Sequence, residues 1–232
     1  AGADAALRVW ATETAGVQSG VVASAPATYR FHETVAPPAV WNALVAGGAE
    51  APSIGDPARG LLYASEPGAS RIAVIDVASF TRVASIPLPS AAVGFDLTPG
   101  GDSLLAVDGE RHLVRVVDLT TRTLRDSVSF EWIAAVPGEH SPRGISVAAN
   151  RKAFVALHRA YSGLRQLVEV DLATGRTGLR EDFLGEETDP WWRWMAATPQ
   201  RDRILLVQRP CIRWYESATD AFTGCLIRPL DG

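Results

Sequence analysis

Several things are scarce in this chain. Lys152 is the only lysine among 22 basic residues, Met195 is the only methionine, and cysteine occurs twice in 232 residues, at Cys211 and Cys225. So few lysines beside so many arginines is the mark of a GC-rich coding sequence. The four histidines, His32, His112, His140 and His158, show no metal-ligand spacing such as His-x-His or His-x-x-x-His. No Gly-x-Ser-x-Gly elbow, phosphate loop, dinucleotide fingerprint or Cys-x-x-Cys-His haem site occurs. The acids of Asp108-Gly109-Glu110 and Glu186-Glu187 suit weak Ca²⁺ binding at most, since no twelve-residue calcium loop surrounds them. The expectation is therefore no catalytic residue, no metal and no cofactor. Apolar stretches stay under ten residues, too short to span a bilayer. With 26 acidic residues and a net charge of −4, the chain also lacks the basic footprint of a nucleic-acid binder.

What is present is a repeat. Leu61–Ser65 and Arg71–Val77, Ser103–Val107 and Leu113–Leu119, Ala153–Leu157 and Leu167–Leu172, and Arg203–Val207 and Cys211–Glu216 are paired runs, short, apolar and β-branched. Such runs read as strands. Each pair follows a turn segment that starts at Asp56, Thr98, Ala148 or Thr198, so the units recur every 42 to 50 residues. An acid closes the third run of each unit, as Asp76, Asp118, Asp171 or Glu216, where a carboxylate can accept the amides of the next turn. Four antiparallel strands in forty to fifty residues is the size of one propeller blade.

These letters resemble a known family. Leu62-Tyr63-Ala64, Ile72-Ala73-Val74-Ile75-Asp76 and Arg82-Val83-Ala84-Ser85-Ile86 look like the YVTN-type β-propeller repeat of bacterial and archaeal envelope proteins. The segment from Thr98 to Val128 matches nearly as well, and the last two units match in pattern more than in letters. The resemblance implies an all-β propeller of four-stranded antiparallel blades, at 51–90, 91–136, 137–184 and 185–232. Residues 1–50 carry four strand-like runs without the repeat letters. They read as a divergent fifth blade, or as a docking or closing segment.

In such a blade the loops between second and third strands, and between blades, share one face of the disc. Those loops are the long, irregular ones here, and function concentrates on irregular loops held by a rigid scaffold. Trp132, His140, Arg143, His158, Arg159, Tyr161, Asp189, Trp191 and Trp192 map to that face. Trp, Tyr and Arg dominate protein interfaces, so these residues are the expected partner-binding set. The alternative for Trp192 and its neighbour Trp194 is packing between blades. If Thr219-Asp220 tips the last hairpin, Cys211 faces Arg228 and Cys225 faces Trp214. A Cys211–Cys225 disulfide then needs a bulge or longer turn, and two buried thiols are the other reading.

The chain opens Ala1-Gly2-Ala3-Asp4. Read as a mature chain with its signal peptide removed, it is expected outside the cytoplasm, periplasmic or on the cell surface; a trimmed sequence is the other reading. The function expected is a non-catalytic interaction or scaffold subunit, partnered by other protein subunits in an envelope or membrane-associated assembly. The alternatives are a propeller enzyme or enzyme subunit, resembling lactone hydrolases or amine dehydrogenases, and a lectin-like sugar-binding propeller.

Overall fold

The structure is a computed structural model and describes residues 52–130, 140–159, 165–180, 182, 192–208, 211–223 and 226–227. The fifth blade expected over residues 1–50 lies outside the described residues. The first sheet runs in chain order through β1 (Ser53–Asp56), β2 (Leu61–Glu66), β3 (Arg71–Asp76) and β4 (Thr81–Pro87). The second holds β5 (Ala92–Leu97), β6 (Ser103–Asp108), β7 (Leu113–Asp118) and β8 (Thr123–Ser129). The third holds β9 (His140–Val147), β10 (Lys152–Arg159), β11 (Arg165–Asp171) and β12 (Thr177–Leu179). The fourth holds β13 (Trp192–Ala197), β14 (Arg203–Gln208), β15 (Cys211–Glu216) and β16 (Ala221–Phe222), with β17 (Leu226–Ile227) also paired to β15. All pairings within the sheets are antiparallel.

The turns repeat as closely as the strands. Each first hairpin closes with a bond from residue four of the turn to residue one: Arg59 to Asp56, Gly101 to Thr98, Arg151 to Ala148 and Arg201 to Thr198. Each also contains one left-handed residue, Gly60, Gly101, Arg151 or Arg201. The turns after the third strand place Phe80, Arg122, Gly175 and Asp220 in the same conformation. Asp76, Asp118 and Asp171 accept the amides of those turns, as their position at the strand end requires. The Ser79 hydroxyl on Asp76, the Thr121 amide on Asp118 and the Thr174 hydroxyl on Asp171, together with the other turn amides, hold all three carboxyls below the usual range. Glu216 differs: it accepts from the Trp214 indole at 3.2 Å and pairs with Arg203 at 3.3 Å.

Alternating residues on the inner strands face opposite neighbours, so the core lies between sheets. Leu104 and Ala106 pack with Leu61, Tyr63 and Ile86 of the first sheet, whereas Leu105 and Val107 pack with Val147, Val155 and Val168 of the third. Phe154 and Ala156 pack with Ile204, Leu206 and Tyr215 of the fourth. Burial on both faces explains why these strands read as continuous apolar runs. The first strands touch in succession, β1 with β5, β5 with β9 and β9 with β13. Three of them carry a one-residue bulge at the same repeat position, skipping Val93, Arg143 and Arg193. One residue on, Gly94 meets Gly144: a Cβ on Gly94 would stand 2.8 Å from the Gly144 Cα, so only glycine permits this approach.

Candidate functional site

Five of the nine expected partner-binding residues fall on described backbone, and four of them gather at one sheet end. His140 pairs with Arg159 across β9 and β10, His158 pairs with Ser141, and Arg143 is the bulged residue two positions on. Arg165 joins them, opposite His158 on β11. Trp192 begins β13 opposite Gln208, just before the equivalent bulge at Arg193. Trp132, Tyr161, Asp189 and Trp191 lie outside the described residues, as does Cys225. Cys211 faces Ile227, not the expected Arg228: the hairpin pairs Glu216 with Ala221, two residues from the expected register, and the pairing beyond Phe222 recovers only one of them.

At the same end of the first two sheets stand buried acids. Asp108 is the last residue of β6, not a loop acid, and is held by Arg115, by the Ser90 hydroxyl, and by the Glu110 and Arg111 amides at 3.0 Å. Burial pushes its pKa up, but these bonds outweigh burial and leave it below the usual range. That corrects the reading of Asp108 as a calcium-loop acid: its lone pairs are used inside the protein. Glu66, at the equivalent strand end, is fully buried between Arg71 and Arg82. Among the described residues no three His, Cys, Asp or Glu side chains could share a metal ion.

A third buried carboxylate ties sheets together. Asp96 on β5 accepts both Arg201 Nη atoms, at 2.9 and 2.8 Å, and the Val147 amide at 2.6 Å; Arg201 also donates to the Val147 carbonyl at 2.9 Å. This clasp joins the second, third and fourth sheets. It borders a central cavity of about 420 Å³ lined by residues of all four first strands, among them Gly55, Asp96, Ser146 and Ala197. Sequence reasoning missed the clasp. Its signals were an acid inside the apolar run Gly94-Phe95-Asp96-Leu97 and an arginine where an equivalent turn has Gly101.

The clefts between sheets differ at three equivalent positions, which the register defines through the residue opposite each closing acid. Between the first two sheets these positions are Leu61, Val74 and Ile86, all buried. Between the third and fourth they are Lys152, Glu169 and Arg180. Arg180 donates to Glu169 at 2.5 Å, to Asp182 at 2.7 Å and to Asp220 at 3.0 Å. Its guanidinium lies 5.5 to 5.9 Å from the ring centres of Phe154, Tyr215 and Phe222. Lys152 pairs with Glu169 and Asp220, and Tyr215 donates to Asp220 at 2.7 Å. Partial burial pushes the Asp220 carboxyl up, but the bonds from Lys152, Tyr215 and Arg180 bring it to about 2. Between the second and third sheets the positions are Ser103, Val116 and Val128. There a cleft of about 730 Å³ remains, on the face of the short turns that sequence reasoning had set aside.

Comparison with known proteins shows the fold. No protein family matches the chain, and no curated protein matches it. Among solved structures it is similar to Kuenenia stuttgartiensis hydrazine synthase, with a TM-score of 0.55 and 14% identity over 75% of this chain and 53% of that one. The match thus spans about half of that chain's length. With four successive antiparallel sheets and neighbouring first strands in contact, the described chain is all-β and propeller-like. At 14% identity the likeness is one of fold and carries no activity.

Proposed function

We propose that this chain is a non-catalytic, extracytoplasmic β-propeller of the YVTN type, serving as an interaction or scaffold subunit of an envelope or membrane-associated assembly. One observation carries the reading: each carboxylate buried among the described residues is matched by arginine. Asp56 has Arg59, Glu66 has Arg71 and Arg82, Asp96 has Arg201, and Asp108 has Arg115. A general base needs an accessible lone pair, and these carboxylates are buried and engaged by guanidinium groups. What supports a partner surface is the register that gathers His140, Arg143, His158 and Arg159 at one rim, since arginine is enriched in interfaces. In this reading residues 1–50 are the divergent fifth blade, or a docking or closing segment, that would cover the remaining sheet edges.

The test is native purification with mass spectrometry of the co-eluting proteins. Stoichiometric partners are expected with the parent chain. They are expected to be lost when Arg143→Glu is combined with Arg159→Glu, and again when Trp132→Ala is combined with Trp191→Ala. A parent chain that elutes alone, or partners retained by both double variants, would overturn the reading. Removing residues 1–50 is expected to give an aggregating protein; a soluble monomer that melts like the parent would contradict the fifth blade.

A further inference from the structure

We infer that the cleft between the second and third sheets is a binding site for a small organic carboxylate with a short aliphatic body. Its floor is apolar, made by Leu105, Val116 and Val128 of the second sheet and Leu172 of the third. Its volume of about 730 Å³ falls within the roughly 300–1,000 Å³ of ordinary small-molecule sites. The inference goes beyond the scaffold role and concerns the opposite face of the molecule.

Three donors surround that floor. Ser103 lines the cleft and is 1% exposed, and its Oγ makes no hydrogen bond of full geometry among the described residues, acting only weakly on the neighbouring Asp102 carboxylate. It stands two residues before Leu105, which packs toward the third sheet, so strand alternation aims it into the cleft. A buried hydroxyl without a full hydrogen bond costs free energy that a ligand atom can recover. The second and third donors are the guanidinia of Arg125 and Arg151, one from each wall. Neither makes a side-chain hydrogen bond or close ion pair among the described residues, and Arg125 acts on Asp102 and Asp118 only through its charge.

The two acids of the lining each accept one bond from a neighbour in sequence. Asp102 accepts the Thr98 hydroxyl at 2.6 Å, and Asp126 accepts the Ser127 amide at 2.7 Å. Unlike these acids, the guanidinia of Arg125 and Arg151 make no hydrogen bond among the described residues, and a planar guanidinium takes a carboxylate as its acceptor. The apolar floor asks for a hydrocarbon body of a few carbons. Neighbouring clefts supply these elements internally, with Leu61 in one and a half-buried guanidinium over acids and rings in the other.

The test is thermal melting of the full chain with 3-methylbutanoate, acetate and 3-methylbutylamine. The expected result is a rise of about 3 °C in Tm at saturating 3-methylbutanoate. Acetate lacks the body and the amine lacks the anion, so neither should shift the melt. Arg125→Gln combined with Arg151→Gln should abolish the shift, as should Ser103→Leu, which fills the floor. No shift with 3-methylbutanoate, an equal shift with acetate or the amine, or a shift that survives the double arginine variant would overturn the inference. If a variant melts abnormally by itself, the parent chain's discrimination between 3-methylbutanoate and acetate still decides. Loss of protein partners bears on the other face and leaves this readout unchanged.

Discussion

The cleft between the third and fourth sheets and the cleft between the second and third are built on the same backbone and filled in opposite ways. The first holds Lys152, Glu169 and Arg180 against Tyr215, Asp220 and Phe222. At the equivalent places the second has Ser103, Val116 and Val128 against Val170, Gly175 and Thr177, and stays open. The hydrogen-bonded frame of a blade leaves side-chain volume between blades to vary. One cleft holds a network of ion pairs and rings, and its neighbour holds a cavity.

Breaking the network should have the largest effect. Arg180→Ala removes the cation that three carboxylates and three rings share, and should cost about 3 kcal/mol in urea unfolding. A loss below about 1 kcal/mol would show that the network is incidental. Lys152→Ser, which copies Ser103 into the cleft that holds the network, should cost about 1–2 kcal/mol, because Glu169 and Asp220 keep Arg180. An unchanged melt would mean that Lys152 is an exposed charge without structural consequence. The smallest effect concerns pH. The folded Asp220 carboxyl, at about 2, lies below its ordinary value of 3.8. Its stabilising contribution is therefore complete above about pH 4 and is lost as pH falls toward 2. Asp76, Asp118 and Asp171 are shifted the same way, so the informative quantity is the difference between parent and Asp220→Asn. The variant should lose less Tm between pH 4 and pH 2, and parallel curves would remove Asp220 from the network.

The frame was legible because backbone geometry writes itself into local letters. Turns beginning at Asp56, Thr98, Ala148 and Thr198 need particular residues, and the closing acids Asp76, Asp118 and Asp171 bond amides two or three residues away. The clefts were not legible in the same way. Arg180 and Asp220 are 40 residues apart in sequence, Asp96 and Arg201 are 105 apart, and no short pattern announces such pairs. Ser103 is an ordinary strand-opening residue until its equivalents Leu61 and Lys152 are set beside it. The expected binding set was chosen for residue type, Trp and Arg in long loops. The open cleft is lined by short turns, whose regularity concealed the space between them.

The most direct test of the contrast is the melting temperature of Ser103→Leu, which transfers Leu61 of the first cleft into the open one. If the cleft is open, the leucine packs on Leu105 and Val116 and gains about 1 kcal/mol, a rise in Tm of about 2–4 °C. If the space is already filled, the added methyl groups overpack it, and the melting temperature falls.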